Sequence, residues 1–456
     1  MSRGRVAPQY RALSNRTPLY ATLICGAIVA APLQMAFTLP EPFPIRLPTD
    51  VLALAALAAY VLRRRRPVAF GPTGGFRSAK VPTDGLLVGV LAVIVTVTAI
   101  LASFLPPGSE ALRAFSISPE FDLLWFTVRA LLVLALWAVA RHVQSKAMTR
   151  AFAISVVVML VGVLLQQTLK MLGMDAALEL MGYNTVTSGI VLTDSGQSFA
   201  RSGTFPNGQE LGFFAGATFF IMLRARQYVL ATASAYCLVY ALSTTGLLGV
   251  AAGLLLLAFA SRSTRARMVV VLAAIAAAVA VASSSYLQAF AEFQLAKVGL
   301  ATSTIAQAGQ SLEVRGTKTT IGFEMMMTNP FIGVGTARFG NHAGENPLSG
   351  TVPSRTLVTV ENAYAQVGAE HGVFALAVFA LLIGYFAWKP WRLRLDYDAA
   401  LGVFILVGIA TQSMWTQMAI WLMLALISAR VRESQQLATS ERRTTGNASI
   451  GTLGKP

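Results

Sequence analysis

The chain has 456 residues, 55% of them apolar and 12% charged, and a formal net charge of +16. Several apolar runs reach the roughly 20 residues that a helix needs to cross about 30 Å of hydrocarbon. That excludes an ordinary soluble domain and predicts an all-α, polytopic membrane protein.

In chain order, spans are expected at 17–36, 49–62, 84–104, 120–140, 150–169, 209–223, 227–243, 246–261, 267–286, 361–388, 398–412 and 414–429, about twelve in all. Residues 1–16 then form an N-terminal tail, 17–432 a single transmembrane domain, and 433–456, rich in Ser, Thr and Gly, a disordered tail. The first span reads as an uncleaved anchor. Its apolar core is long for a signal peptide, and the second span follows closely.

Basic residues set the orientation. Arg63 to Arg66 follow span two, Arg141, Lys146 and Arg150 span four, Arg224 and Arg226 span six, Arg262, Arg265 and Arg267 span eight. Lys389, Arg392 and Arg394 follow span ten, and Arg430 and Arg432 span twelve. Every even-numbered exit is basic, so both termini are expected in the cytoplasm. The excess positive charge is then a topology signal with some attraction to anionic lipid, and no nucleic-acid partner is expected.

Two long loops, about 170–208 and 288–360, fall on the outer face, the larger between spans nine and ten. No cytoplasmic loop is long enough for a catalytic domain, so an active site belongs at the outer surface of the membrane. Cys25 and Cys237 lie inside spans and offer neither a disulfide framework nor metal spacing. His142, His342 and His371 are scattered, and no metal or cofactor is expected. Asp396-Tyr-Asp398 reads as a solvated helix start.

The remaining polar groups sit mostly on the outer side. Arg201 precedes span six in RSGTFPNGQELG, where Gly203, Pro206 and Gly208 force a turn and Asn207 or Gln209 caps the helix. A tidy helix start explains the turn residues but not Arg201, which a fixed turn can present to an anion. Arg315 and Lys318 lie one helical turn apart in a segment that reads equally as the solvated face of an amphipathic helix. Arg129 lies about nine residues into span four, roughly 13 Å deep. A charge at that depth costs on the order of 3 kcal/mol, so it either forms a structural ion pair or lines a substrate path. Glu361 and Asn362 open span ten. A carboxylate in a first helical turn is stabilised by up to about 1 kcal/mol, but beside cationic anion-holders it also suits a general base.

Taken together, Arg201-Ser-Gly-Thr-Phe-Pro-Asn207, Ser243-Thr-Thr-Gly246, Arg315 upstream of Asn329-Pro-Phe-Ile-Gly-Val-Gly335, and Glu361-Asn-Ala-Tyr with Glu370-His-Gly372 resemble the O-antigen ligase and Wzy-type O-antigen polymerase superfamily. The resemblance covers roughly residues 200–385. It implies a GT-C-like membrane glycosyltransferase that uses an undecaprenyl-diphosphate-linked glycan donor at the outer face of the cytoplasmic membrane. Arg201 and Arg315 would hold the donor diphosphate, and no metal is needed. Ligases of the family carry histidine where this chain has Glu361, which as a carboxylate can still accept a proton from an attacking sugar hydroxyl and suits inversion. His342 and His371 are fallback bases, and Arg129, Lys318, Asn362 and His342 are candidates for the substrate path. The expected function is polymerisation of repeat units onto a glycan acceptor, with a chain-length regulator as a candidate partner. A ligase acting on a lipid or protein acceptor is the near alternative, and a transporter of lipid-linked glycan the alternative of another class.

Overall fold

The computed structural model describes residues 17–33, 47–64, 82–106, 118–180, 202–205, 207–259, 306–352 and 359–451, with isolated residues between these segments. Its helices are α1 (Leu19–Ala30), α2 (Leu47–Arg64), α3 (Thr83–Ala102), α4 (Pro119–Ala140), α5 (Ser145–Met171), α6 (Asp175–Leu180), α7 (Gly208–Arg224), α8 (Tyr228–Tyr240) and α9 (Thr244–Phe259). They continue with α10 (Ala306–Thr328), α11 (Phe339–Ala343), α12 (Ala363–Arg392), α13 (Asp396–Ala410) and α14 (Met418–Gly451). A two-residue antiparallel pair, Ile190–Val191 with Ser198–Phe199, is the strand structure among the described residues.

A helix stands at each expected span except the ninth, 267–286, which lies largely outside the described residues. Four of them, α3, α4, α5 and α12, are long and apolar enough to cross a membrane by length and composition. The protein is a multi-pass helical membrane protein.

Local sequence explains the starts. Ser118 caps α4 by accepting from the Phe121 N–H at 3.1 Å, with Pro119 in the first turn and Glu120 and Asp122 behind it. Asn207 caps α7 by accepting from the Glu210 N–H at 2.9 Å, which decides between the two expected capping residues. Ser243 does the same for α9, accepting from Gly246 N–H at 3.2 Å.

The main core runs through the bundle, and α14 is its centre: every residue from Met418 to Val431 is buried. A helix buried on all sides belongs in the middle of a bundle. Small residues let neighbours approach. A Cβ at Gly216 of α7 or Gly249 of α9 would fall within 2.5 and 2.7 Å of the Phe404 ring on α13, so Phe404 occupies a slot between those helices. A second, separate core of Ile321, Met325, Val334, Phe339, Val352, Leu357 and Val360 packs over the first turns of α12.

Two expectations are corrected. The chain does not lose structure at Glu433: α14 continues to Gly451. No Gly or Pro interrupts it before Gly446, and Glu433 accepts hydrogen bonds from the Ser145 N–H and hydroxyl at 2.9 and 2.6 Å. Nor is Asp398 a solvated helix-start residue. It is fully buried and paired with Arg224 at 3.4 Å and with Arg430, whose guanidinium also reaches the Thr149 hydroxyl at 2.9 Å.

Candidate active site

The site is built on two elements that a glycine-rich loop locks together. Helix α12 is broken at Gly372, which has φ +81°, and the loop 329–335 fills the break. The Val373 N–H, which an unbroken helix would direct at Ala369, instead donates to the Pro330 carbonyl at 2.8 Å. The Ala369 and Glu370 carbonyls accept from the N–H groups of Val334 and Gly335, both at 2.9 Å. A Cβ at Gly372 would stand 2.5 Å from the Pro330 oxygen, and one at Gly333 2.4 Å from the Glu370 carbonyl carbon. Only glycine fits either place. The Asn-Pro-Phe-Ile-Gly-Val-Gly and Glu-His-Gly motifs are therefore the two halves of one clasp.

The clasp fixes α10 against α12. Close approach is helped by Gly368, whose added Cβ would lie 2.7 Å from the Met326 sulfur, and by Gly322, 3.3 Å from Ala365. Arg315 and Lys318, three residues apart on α10, share one face of the helix. That face meets the chain just before α12, where Asn362 caps the helix by accepting from the N–H groups of Tyr364 and Ala365 at 2.9 and 3.1 Å. Glu361 is thereby placed one residue ahead of the cap.

There the three charges converge. Arg315 Nε lies 2.6 Å from Glu361 Oε2, an ion pair by distance whose N–H is not aligned for a hydrogen bond. Lys318 Nζ donates to Oε1 at 3.4 Å, a long contact. Glu361 and Arg315 remain 29% and 22% exposed, whereas the Lys318 side chain is 2% exposed. Burial pulls the Lys318 pKa below the ordinary lysine value, the Glu361 charge opposes the shift, and Arg315 adds to it. The Glu361 side chain is partly open to solvent, although its Oε2 against Arg315 is itself buried, and the two cations beside it can receive a further anion.

The other expected site residues are placed elsewhere or serve the frame. Arg201 lies outside the described residues, although the turn after it is described: Gly203 has φ +55°, and its N–H donates to Gln166 Oε1 at 2.6 Å. Arg129 is half-buried on α4, whose main neighbours are α3 and α14. His342 lies in the last turn of α11, with Nδ1 3.9 Å from Glu345 Oε2. Burial lowers its pKa, Glu345 opposes the shift and Arg338 reinforces it. Asn362 is occupied in capping. His371 is buried in α12, its Nδ1 2.8 Å from the Thr98 hydroxyl and its ring edge-on to Trp415. Among the described residues no group of three His, Cys, Asp or Glu is placed to hold a metal ion.

What the sequence reading missed is the burial of Lys318 and the clasp. The signal for the clasp was present in Gly333, Gly335 and Gly372, but nothing local says that two motifs some forty residues apart join.

The site is thus an acid between two cations at the mouth of an apolar helix in a multi-pass membrane protein. Residues 228–380, about a third of the chain, match the family model described as O-antigen ligase, and over that stretch the chain is similar to the O-antigen ligase and Wzy superfamily. The matched segment contains Arg315, Lys318, Glu361 and both halves of the clasp, and leaves Arg201 outside. No curated protein matches the chain.

Proposed function

We propose that the protein transfers a glycan from a polyprenyl diphosphate to a hydroxyl of another glycan, at the outer face of the cytoplasmic membrane, as a repeat-unit polymerase. The observation that carries the reading is the Glu361 carboxylate held between Arg315 and Lys318.

In the proposed step the acceptor oxygen attacks the anomeric carbon while the bond from that carbon to the diphosphate oxygen breaks. The leaving diphosphate keeps the electron pair, and Glu361 takes the hydroxyl proton. Arg315, with Arg201 as its counterpart, stabilises the charge that builds on the diphosphate. Attack from the face opposite the leaving group inverts the anomeric centre.

The two ends of α12 support an outer-face site. One end carries Glu361; the other carries Lys389, Arg392 and Arg394 and is followed by the Asp398 pair with Arg430. The positive-inside rule assigns the basic end to the cytoplasm, which turns Glu361 outward and supports cytoplasmic termini in a layout of about twelve spans.

The test is purified Glu361→Gln protein in liposomes with a lipid-diphosphate donor. New glycosidic bonds are expected from the wild type and not from the variant; normal polymer from the variant would overturn the base assignment. A ligase keeps the same site with a different acceptor, a reading favoured by the description of the matching family model. A ladder of products marks a polymerase and a single addition a ligase.

A further inference from the structure

Lys318 is the group that this chemistry leaves unused. A lysine side chain 2% exposed has lost nearly all its hydration, and such charges are kept where an anion compensates them. Its ionic partner among the described residues is Glu361, at the long distance of 3.4 Å, and that carboxylate is shared with Arg315. Two cations thus divide one anion.

The three groups also differ in how firmly they are held. Arg315 and Lys318 sit on a regular helix, packed against α12 and pinned at its end by the clasp. Glu361 precedes the helix cap, follows irregular chain, and is the most exposed of the three. The cations are the fixed partners and the carboxylate is the movable one. Their arrangement fits a diphosphate better than a carboxylate. Two linked phosphate groups offer oxygens to both positions, Arg315 suiting planar paired contacts and Lys318 a point charge.

We infer that Lys318 joins Arg315 as a ligand of the donor diphosphate, and that the Glu361 carboxylate occupies the diphosphate's place on these two cations until donor binds. The inference rests on the proposed transferase reading. Donor binding exchanges one set of ion pairs for another and makes no covalent bond. The exchange frees Glu361 beside the anomeric carbon, so that the base becomes available only when a leaving group is present. Without donor, the carboxylate is neutralised and does not activate water.

Inorganic pyrophosphate titrated calorimetrically into the full-length protein in detergent is the probe, run beside the liposome transfer assay. An internal competitor reduces apparent affinity by the fraction of molecules in which it has vacated the site, so Glu361→Gln is expected to bind pyrophosphate about tenfold more tightly. Lys318→Met is expected to bind it about tenfold more weakly, and Lys318→Arg, which keeps the charge, close to wild type. Unchanged pyrophosphate affinity in Glu361→Gln would overturn the exchange even if transfer is lost, leaving the base assignment standing. Tighter binding with transfer retained would support the exchange and overturn the base assignment. If Lys318→Met melts at the wild-type temperature and binds as the wild type does, the role of Lys318 is overturned. If it fails to fold, the Glu361→Gln titration alone decides.

Discussion

At one end of α12 Glu361 stands between Arg315 and Lys318; just beyond the other, Asp398 is clamped between Arg224 and Arg430. Each cluster is one acid with two cations, yet they are built for different ends. Asp398 is fully buried, contacts both cations through separate oxygens, and ties α13 to α7 and α14, with Thr149 of α5 completing the second arginine. Glu361 is partly exposed, its contacts are one unaligned and one long, and it stands one residue ahead of the helix cap. A sealed, satisfied triad staples helices together. An open, poorly satisfied one can exchange its partners, which is what a substrate site requires.

The largest expected break in that comparison is Asp398→Ala. It strands a buried arginine and should cost about 3–5 kcal/mol, read as a large fall in folded yield and melting temperature in detergent. Glu361→Gln should differ, lowering transfer by about 10²–10⁴-fold with a smaller fall in melting temperature, because the amide keeps a polar partner beside the buried Lys318. If the two variants lose stability equally, the distinction between staple and site fails. Gly372→Ala comes next, because it forces a side chain into a left-handed backbone position against the Pro330 oxygen; a loss of about 1–3 kcal/mol is expected, seen as a lower melting temperature. His342→Ala should be the mildest, leaving transfer close to wild type, and a large loss there would move the base away from Glu361.

Much of the fold was legible because apolar runs of spanning length declare themselves one by one. The helix starts at Ser118 and Asn207, and the carboxylate at the mouth of α12, needed only local chemistry. The clasp was not legible in the same way. Gly372 sits within an apolar run that reads as continuous helix, and its break is visible only when Pro330 and Val334 are seen to replace the missing hydrogen bonds. Asp398 looked solvated because its sequence neighbours are polar, while the arginines that bury it come from 174 and 32 residues away. Lys318 read as the wet face of an amphipathic helix for the same reason: the partner that accounts for it lies 43 residues ahead. Pairings between distant segments leave no periodic trace.

The clasp has one further mechanical meaning. A helix interrupted inside hydrocarbon would present bare peptide dipoles to lipid, and here the loop supplies their partners. Pulling the loop out would strand those dipoles, so the joint cannot slide. From it to the first residue of α12 is a stiff rod of nine residues, roughly 14 Å long. The protein therefore carries a built-in gauge, and the distance between the anchored loop and the Glu361 carboxylate is set by backbone and not by side-chain choice. An insertion or deletion of one residue in that rod would turn Glu361 about 100° around the axis, away from α10, with every charge still present.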